Sequence, residues 1–478
     1  MPRSAAAVDS QFDKLWLAIP LAAYVLLPTH NYYWDGVAFA INAEKDLPLG
    51  EILHPNHLIY TLVHNWIFHA VYAAGLHVRA LYVMQFVNSM LAAACAPLMY
   101  AAVFRRTNEH AISIAGALLF AFAATWWRFA TDSDAYIPSI FFLLCALHFL
   151  ETRAHPAPAA LCHAAAMLFH QLAILFLPFA LFRLRDRRKA LVYTAASLLP
   201  VGAAYIAAYR IVSGSFGAGG FLGWITSHSG ESGFSFQPLR DLGHTLLGTV
   251  QLFFGGKLSA ARGLPVPSVI ALTILTALVV WRFRKAIPWR ISRPPNDLLL
   301  WIAAYAVFLF FWMPQNTFYR LFYLVPMVLL ICSTAPRLTL LCAAAFLWNG
   351  FFLVYPASRV QNNVPLRFAL QQSVRWPVGT PIVFSNFHSD LWVISYFTPQ
   401  VSWIGMPRVD TPVLDRAYDD ATRRHQIMWL EASAFDTLRA DVAGRAWLES
   451  HPIGDVLRFS DGKHSFTFYQ LRPRLAPQ

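Results

Sequence analysis

The sequence predicts a mainly α-helical polytopic membrane protein with a small α/β domain outside the membrane at its C-terminus. Three observations predict this fold class. The 478-residue chain is 57% hydrophobic and only 13% charged, whereas soluble domains carry about 25% charged residues. Its mean hydropathy is +0.46. Long apolar runs recur as far as Tyr355, and the charge content becomes ordinary after it. Repeated runs of this kind are typical of membrane helices.

The apolar runs predict about eleven membrane segments, when the two halves of one broken run are counted separately. A further apolar piece, 242–255, is too short to span comfortably, and we expect it to be re-entrant or interfacial. The spanning runs cover residues 15–28, 80–104, 111–127, 136–150, 157–182, 190–212, 269–281, 297–312, 321–330 and 338–355.

The run 157–182 is too long for a single span and is interrupted at His170. Basic residues flank both of its ends, with Arg153 before it and the stretch 183–189 after it. The positive-inside rule places both flanks in the cytoplasm, and a single crossing cannot do that. We therefore expect two half-helices that meet near His170, with their turn buried in protein or facing a water-filled cavity.

Basic residues also orient the whole chain. The net charge is +12, and it is concentrated at 183–189 and 282–293. We expect these stretches in the cytoplasm, some of them near anionic lipid phosphates, and we expect no nucleic-acid binding. The result is a multi-pass protein of the inner (plasma) membrane with a cytoplasmic N-terminus and an external C-terminal domain. The polar stretch 1–14 lacks a small-residue cleavage site, so the first run is expected to be a retained helix.

Three regions follow from this topology. Residues 1–355 form the predicted transmembrane module. Within it, residues 29–79 form a first external loop with a helix at 58–74 lying in the interface. Residues 356–478 form the external α/β domain, with a helical pattern at 414–438 and strands at 381–385, 456–459 and 464–471.

All five cysteines lie in apolar runs, and none belongs to a C-x-x-C pair. We expect them to be packing residues, without a disulfide or a thiolate metal site.

Asp35 is the first candidate catalytic residue. It lies in Asn31-Tyr-Tyr-Trp-Asp-Gly36, just after the first apolar run. A carboxylate where a membrane helix meets water can take the proton of an acceptor hydroxyl while the donor stays in the bilayer. The alternative is a helix N-cap, because Asp35 precedes Gly-Val-Ala-Phe.

Asp132 and Asp134 form a second acidic group, in Thr131-Asp-Ser-Asp134 at another membrane edge. They could assist the base, orient an acceptor hydroxyl or hold a metal. Alternatively, Thr131 or Asp132 caps the next helix and one acid pairs with Arg128. A hard cation needs more oxygen ligands than two carboxylates, so a divalent metal is possible and no metal ligand is assigned.

His54 and His57 flank Pro-Asn, and His170 interrupts an apolar run. Two histidines three residues apart could bind zinc, with Asp35, Glu44 or Asp132 as a third ligand; the alternative is ordinary hydrogen bonding. An ionisable group at a break inside the membrane usually faces a cavity. All three histidines are therefore candidates for substrate binding.

Arg320 lies at the outer end of a span, in Asn316-Thr-Phe-Tyr-Arg-Leu-Phe-Tyr323. Its planar fork suits a phosphate, and the alternative is snorkelling at the interface. Aromatic residues near the acids, among them Tyr33 and Trp34, suit stacking against sugar rings. Their alternative is the interfacial aromatic belt.

Three short motifs resemble the GT-C superfamily of glycosyltransferases, and within it the protein O-mannosyltransferase-like branch. Asp35-Gly-Val-Ala-Phe followed by His54-Pro-Asn-His57-Leu-Ile-Tyr60 resembles an acid before a His-Pro-Pro-Gly-type motif. Thr131-Asp-Ser-Asp-Ala-Tyr136 resembles the branch's Glu-Val-Tyr-Ala segment. Leu168-Phe-His-Gln-Leu-Ala resembles its half-helix turn. Asn56 and His57 replace Pro-Gly, and Asp134 replaces Glu, which leaves the acceptor open.

The resemblance covers the first 180 residues by motif and the rest by topology. It implies a polyprenyl-phosphate sugar as the donor and inversion at the anomeric carbon. It also implies Asp35 as the general base, Asp134 as a second acid near the acceptor, Arg320 at the donor phosphate and Tyr136 at the substrate. The acceptor would be a glycan, a lipid or a protein.

A transporter or flippase for a lipid-linked or small polar substrate is the rival interpretation. It predicts acids spread along several spans at mid-depth. Here the acids cluster on one predicted face and a soluble domain follows, which favours the enzyme. A third class, a non-catalytic scaffold, would have no need for Asp35.

Overall fold

The computed structural model describes residues 16–153, 155–215, 217–227, 237–261, 264–386, 388–460 and 465–472. The polar N-terminus 1–14, the centre of the 213–240 loop and His464 lie outside the described residues. The chain divides into two compact units: residues 1–29 with 39–358, and residues 30–38 with 359–478.

Helices make up the first part of the chain as far as Ala357. They are α1 (Ala18–Leu26), α2 (Trp34–Glu44), α3 (Leu49–Ile52), α4 (Tyr60–Ala73), α5 (Ala80–Thr107), α6 (His110–Ala121), α7 (Ala124–Ala130), α8 (Tyr136–Thr152), α9 (Ala157–Phe169), α10 (Leu177–Leu184), α11 (Arg187–Ser213), α12 (Ala218–Thr226), α13 (Pro238–Phe253), α14 (Val266–Phe283), α15 (Asn296–Trp312), α16 (Leu321–Thr334), α17 (Leu341–Asn349) and α18 (Tyr355–Ala357). Short 3-10 segments include Pro55–His57, Gln171–Phe176 and Phe318–Arg320, and a π-helix covers Gly350–Val354.

Several of these helices have the length and composition of membrane spans. Among the described residues, four are long and apolar enough to cross: Ala80–Thr107, Arg187–Ser213, Val266–Ala286 and Pro336–Ala357. Shorter apolar helices of 10 to 17 residues accompany them. These helices identify an integral membrane protein. The number of eleven segments, the kind of membrane and the side of each terminus stay predictions.

One predicted span differs from the structure, and another lies partly outside the described residues. The first run, 15–28, begins at a residue that the structure does not describe, and its described part contains the nine-residue helix α1. The third run, 111–127, is not one helix, because α6 and α7 meet at an angle of 65°. The bend falls at Phe122, whose carbonyl accepts a hydrogen bond from the buried amide of Asn349 at 2.7 Å.

Asn349 joins this bend to a second irregular segment. Its Nδ2 also donates to the carbonyl of Phe253 at 2.8 Å, and its Oδ1 accepts from the N–H of Gly255 at 3.0 Å. One buried amide therefore satisfies backbone groups from two places where helices end, as an environment without water requires.

The predicted break in the run 157–182 is confirmed. Helix α9 ends at Phe169, His170 is extended with φ −156° and ψ 121°, and a 3-10 turn leads into α10. His163 on α9 ties the two sides together, because its Nε2 lies 2.9 Å from the carbonyl of Ala173.

The C-terminal part of the chain contains a five-stranded mixed sheet in the order β2-β1-β3-β5-β4. Strands β2 and β3 run parallel to β1, while β5 runs antiparallel to β3 and β4. The elements are α19 (Val364–Gln372), β1 (Pro381–Phe384), α20 (Ser389–Phe397), β2 (Ser402–Gly405), α21 (Thr411–Arg423), β3 (Trp429–Glu431), α22 (Ala432–Ala440), α23 (Val442–Ser450), β4 (Ile453–Ser460) and β5 (Ser465–Leu471).

The sheet is covered on both faces. Neighbouring residues of β1 point to opposite sides, so Ile382 belongs to one apolar core with Phe368 and Phe468, and Val383 to the other with Leu414. The helical pattern at 414–438 proves to be two helices, α21 and α22, separated by β3. That central strand is only three residues long, too short for a period of two to be recognised.

Gly256, which follows α13 and contacts the π-helix, is a position where we expect a side chain to destabilise the protein. It has φ +88°, and an added Cβ would collide with the carbonyl oxygen of Phe352. Gly75 is a matched control, because it has φ +87° with nothing within 4 Å of an added Cβ. We expect Gly75→Ala to cost about 1 kcal/mol, for the left-handed backbone alone, and Gly256→Ala to lower the apparent melting temperature clearly further. Equal melting temperatures for the two variants would contradict this packing.

Candidate functional site

The His54-Pro-Asn-His57 segment is fastened to the break at His170. The side chain of Gln171 donates to Oδ1 of Asn56 at 2.5 Å. Nδ1 of His57 lies 3.4 Å from the carbonyl of Phe169. The N–H of Ile59 donates to the carbonyl of Leu168 at 3.2 Å. Two motifs more than a hundred residues apart in sequence are therefore one structural feature.

The three predicted histidines come together there. The ring centroids of His57 and His170 are 4.6 Å apart, and those of His54 and His57 are 5.8 Å apart. His170 is only 2% exposed.

The hydrogen bonds of His170 assign its tautomer. Its Nδ1 accepts from the N–H of Leu172 at 3.2 Å, so in the neutral ring Nε2 carries the proton. Within the described residues, this Nε2 has no hydrogen-bond partner. A buried N–H donor without a partner is costly, and a ligand oxygen would satisfy it.

Aromatic rings enclose His170. Tyr136, a predicted substrate residue, lies 5.1 Å from it, and Phe322 of α16 lies 5.0 Å from it, centroid to centroid. Tyr319 lies 5.8 Å away. The rings come from two stretches of the chain, the start of α8 and residues 319–322, so the surroundings of His170 are largely aromatic.

Asp132 and Asp134 lie in a buried loop clamped to α5. The Nδ2 of Asn88 donates to the carbonyls of both residues at 2.8 Å. Gln85 donates to the carbonyl of Thr131 at 2.9 Å, and Ser89 donates to that of Ala130 at 3.0 Å. Three polar side chains on one face of an apolar helix thus hold the loop in place.

The two carboxylates turn inward. Asp132 and Asp134 are 0% and 1% exposed, and Oδ1 of each accepts the N–H of the residue that follows it. Neither Thr131 nor Asp132 caps the next helix, because α8 starts at Tyr136 without a side-chain cap.

Burial raises the pKa of the Tyr60 hydroxyl well above its ordinary value, and the negative charges of Asp134 and Asp132 raise it further. Tyr60 is therefore a neutral hydroxyl beside the acids.

Arg320 is fully buried and points towards α13. Its Nη1 donates to the hydroxyl of Tyr323 at 2.7 Å, and its Nη2 donates to the carbonyls of Pro314 and His244. An added Cβ at Gly248 would collide with its Nε. Within the described residues it forms no ion pair with a carboxylate. Arg320 braces α13 against the loop before α16, so the snorkelling alternative is wrong, and no carboxylate in the described part of the chain compensates its charge.

Asp35, Tyr33 and Trp34 lie in the unit formed by residues 30–38 and 359–478. Asp35 is in the first turn of α2, which begins at Trp34, and so it is not the N-cap of that helix. Tyr33 and Trp34 line a cavity of about 270 Å³ in this unit, together with Asn362, Asn363, Ser389 and Asp390. The predicted aromatic residues thus adjoin amide and hydroxyl groups.

The described residues contain no group of three or more His, Cys, Asp or Glu side chains that could hold a metal ion. The zinc alternative for His54 and His57 therefore lacks a third ligand there. Activity measured with and without EDTA tests the possible divalent metal.

Sequence reasoning missed Gln85, Asn88 and Ser89, as well as the rings of Tyr319 and Phe322. The first three had a usable signal: polar residues at i, i+3 and i+4 inside an apolar span mark one face of the helix. The two rings had no such signal, since aromatic residues are common throughout the chain.

Comparison with known proteins gave structural neighbours only. No family model matches the chain, and no curated protein matches it. Among solved structures, the chain is similar to ArnT from Cupriavidus metallidurans in the apo state, with 11% identity, a TM-score of 0.42 and coverage of 96% of this chain and 98% of that one. It is similar to the same protein bound to undecaprenyl phosphate, with 11% identity, a TM-score of 0.43 and coverage of 97% and 98%.

The hydrogen bonds from α5 to the loop of Asp132 and Asp134 predict that different α5 variants lose different amounts of stability. Asn88→Ala leaves two buried carbonyls without a donor, at about 1–3 kcal/mol each, whereas Ser89→Ala leaves one. We expect Asn88→Ala to lower the apparent melting temperature about twice as far as Ser89→Ala. Met90→Ala, at an exposed position on the same helix, should change it little. An Asn88→Ala protein as stable as the unmodified chain would contradict the clamp.

Proposed function

We propose that this chain is a GT-C-type membrane glycosyltransferase that moves a sugar from a polyprenyl-phosphate donor to an acceptor on the external face of the inner membrane. The site around His170 would bind the donor, and Asp35 would act as the general base. The protein O-mannosyltransferase-like branch is the subclass that the motifs favour, with a glycan, lipid or protein as acceptor.

The unpartnered Nε2–H of His170 is the observation that carries this proposal. A protonated nitrogen, buried among aromatic rings at a helix break, is suited to donate to a phosphate oxygen of a lipid-linked donor. His54 and His57 adjoin it and would extend the polar surface. Tyr136 would pack against the sugar or the first isoprene unit.

The reaction would be a direct displacement. The acceptor hydroxyl attacks the anomeric carbon, a new C–O bond forms, and the bond from that carbon to the phosphate oxygen breaks. The hydroxyl proton passes to the carboxylate of Asp35, and polyprenyl phosphate leaves with the bonding electrons. Attack opposite the leaving phosphate inverts the anomeric carbon. Asp134, with Asp132 beside it, would orient the acceptor hydroxyl.

Arg320 would assist by charge. Its guanidinium is buried without a carboxylate partner in the described part of the chain, and buried cations of this kind favour an anion nearby. Two of its nitrogens already bond to the protein, so it would stabilise the donor phosphate mainly through its positive charge and less through a bidentate fork.

The cavity lined by Tyr33 and Trp34 would bind the acceptor. Exposed aromatic faces beside amide and hydroxyl groups suit the alternating apolar and polar surfaces of a sugar. Trp34 is 41% exposed, so its ring is available for stacking.

His170→Asn tests the donor site. The Oδ1 of asparagine can still accept the N–H of Leu172, but the Nε2 donor is lost. A hydrogen bond to a charged group contributes about 1.5–3 kcal/mol, so we expect the KM for the donor to rise about 10- to 100-fold with little change in melting temperature.

His163→Asn is the matched control for that experiment, because both nitrogens of this buried histidine already contact the protein. We expect it to lower the melting temperature without a comparable rise in donor KM. The same donor KM for His170→Asn and the unmodified protein would rule out the donor role of His170.

Asp35→Asn tests the base. The amide cannot accept the hydroxyl proton, so we expect sugar transfer from the polyprenyl-phosphate donor to fall at least about 100-fold while the protein stays folded. Asp46→Asn, at a highly exposed acid of the same loop, should leave transfer unchanged. Retained transfer in Asp35→Asn, measured as labelled sugar leaving the lipid donor, would refute the assignment.

A further inference from the structure

We propose that a cavity between the end of α10 and the start of α15 binds the phosphate headgroup of an anionic membrane lipid. The cavity has a volume of about 610 Å³. Its lining includes Phe182, Arg183, Arg185, Arg293, Asn296 and Asp297, and it is called the arginine cavity below. None of these residues has a role in the transfer reaction proposed above.

The charges around the arginine cavity do not balance. The buried Asp297 is shared by Arg106 at 3.2 Å and Arg183 at 3.5 Å. Arg106 also pairs with Glu151 at 3.0 Å, and Glu151 pairs with Arg105 at 2.8 Å. Together with the other cavity arginines, five guanidinium groups thus meet two carboxylates.

Arg185 and Arg293 supply the excess charge. Among the described residues, neither forms an ion pair. Asp186, the acid next to Arg185, is engaged elsewhere, because its Oδ1 accepts the N–H of Arg188 at 2.8 Å as the N-cap of α11. Two arginine side chains are therefore available to an anion at one cavity.

The backbone at Arg185 is unusual for a residue with a side chain. Its φ is +49°, in a region that non-glycine residues seldom adopt. The tight turn is closed by a hydrogen bond from the N–H of Asp186 to the carbonyl of Leu184. The turn places the charged side chain of Arg185 at the cavity. Glycine would adopt this backbone conformation more easily, yet the position carries an arginine.

The surroundings favour a lipid over a soluble anion. Phe182 lines the same cavity with 46% of its surface exposed, so an acyl chain can lie beside the charged groups. The apolar helix α14, which leads into the basic stretch before Arg293, has no buried residue. Basic pockets between membrane helices on the cytoplasmic side recognise anionic headgroups, and the distribution of basic residues predicts that side for this cavity.

The test uses the full-length protein in neutral detergent and native mass spectrometry. Phosphatidylglycerol and phosphatidylcholine are titrated separately, and inorganic phosphate is titrated in a third arm. The variant Arg185→Gln with Arg293→Gln removes two cavity charges at exposed positions. The control variant Arg282→Gln with Arg284→Gln removes two exposed charges of the neighbouring basic stretch, outside the cavity.

We expect phosphatidylglycerol to bind more tightly than phosphatidylcholine, and this binding to weaken about tenfold or more in the cavity variant only, since each basic contact to an anionic lipid contributes about 1 kcal/mol. Equal weakening in both variants would mean diffuse surface charge and overturn the proposal. If the cavity variant loses binding of inorganic phosphate and the unmodified protein shows no preference between the two lipids, the cavity binds a soluble anion. That result would overturn the proposal of a lipid site.

Discussion

Backbone polar groups that leave a helix inside a membrane must find partners in the protein, because no water is available there. The break at His170 depends on this constraint. The carbonyls of Leu168 and Phe169 meet Ile59 and His57, and the N–H of Leu172 meets His170 itself. The first loop is therefore needed to satisfy the break. By doing so it brings His54 and His57 beside His170 and leaves one buried donor for a ligand.

The same constraint explains two other parts of the molecule. At the bend between α6 and α7, the side-chain amide of Asn349 forms hydrogen bonds with backbone groups that have no partner within a helix. At the loop that carries Asp132 and Asp134, Asn88 does so with help from Gln85 and Ser89. Polar residues within apolar helices thus hold both irregular segments. His170, Asp132 and Asp134 lie on irregular segments of this kind.

The sequence predicted the parts that depend on local pattern. The long apolar helix at 80–104, the strand at 381–385 and the break at His170 follow from apolar length, turn residues and flanking charge, and the structure has them. The bend at Phe122 was missed because no proline or glycine marks it; the distant Asn349 makes it possible. The three-residue strand β3 was missed for a similar reason, since it is stabilised by its neighbours β1 and β5.

Some residues of the candidate site could likewise be predicted from local sequence, and others could not. Residue type and position pointed to His54, His57, His170 and Tyr136, and these do converge. The orientation of Arg320 towards α13 could not be read from its own surroundings in sequence, because Gly248 creates the space that it occupies. The roles of Asp35, Asp132 and Asp134 concern a reaction, so they stay proposals, and the Asp35→Asn variant tests the first of them.

The most direct measurement is an experimental structure of the full chain with polyprenyl phosphate bound. We expect a phosphate oxygen within about 3 Å of Nε2 of His170, at hydrogen-bonding distance, with the lipid chain leaving among the rings of Tyr136, Tyr319 and Phe322. A phosphate bound elsewhere, with Nε2 of His170 hydrogen-bonded to the protein, would contradict the central claim.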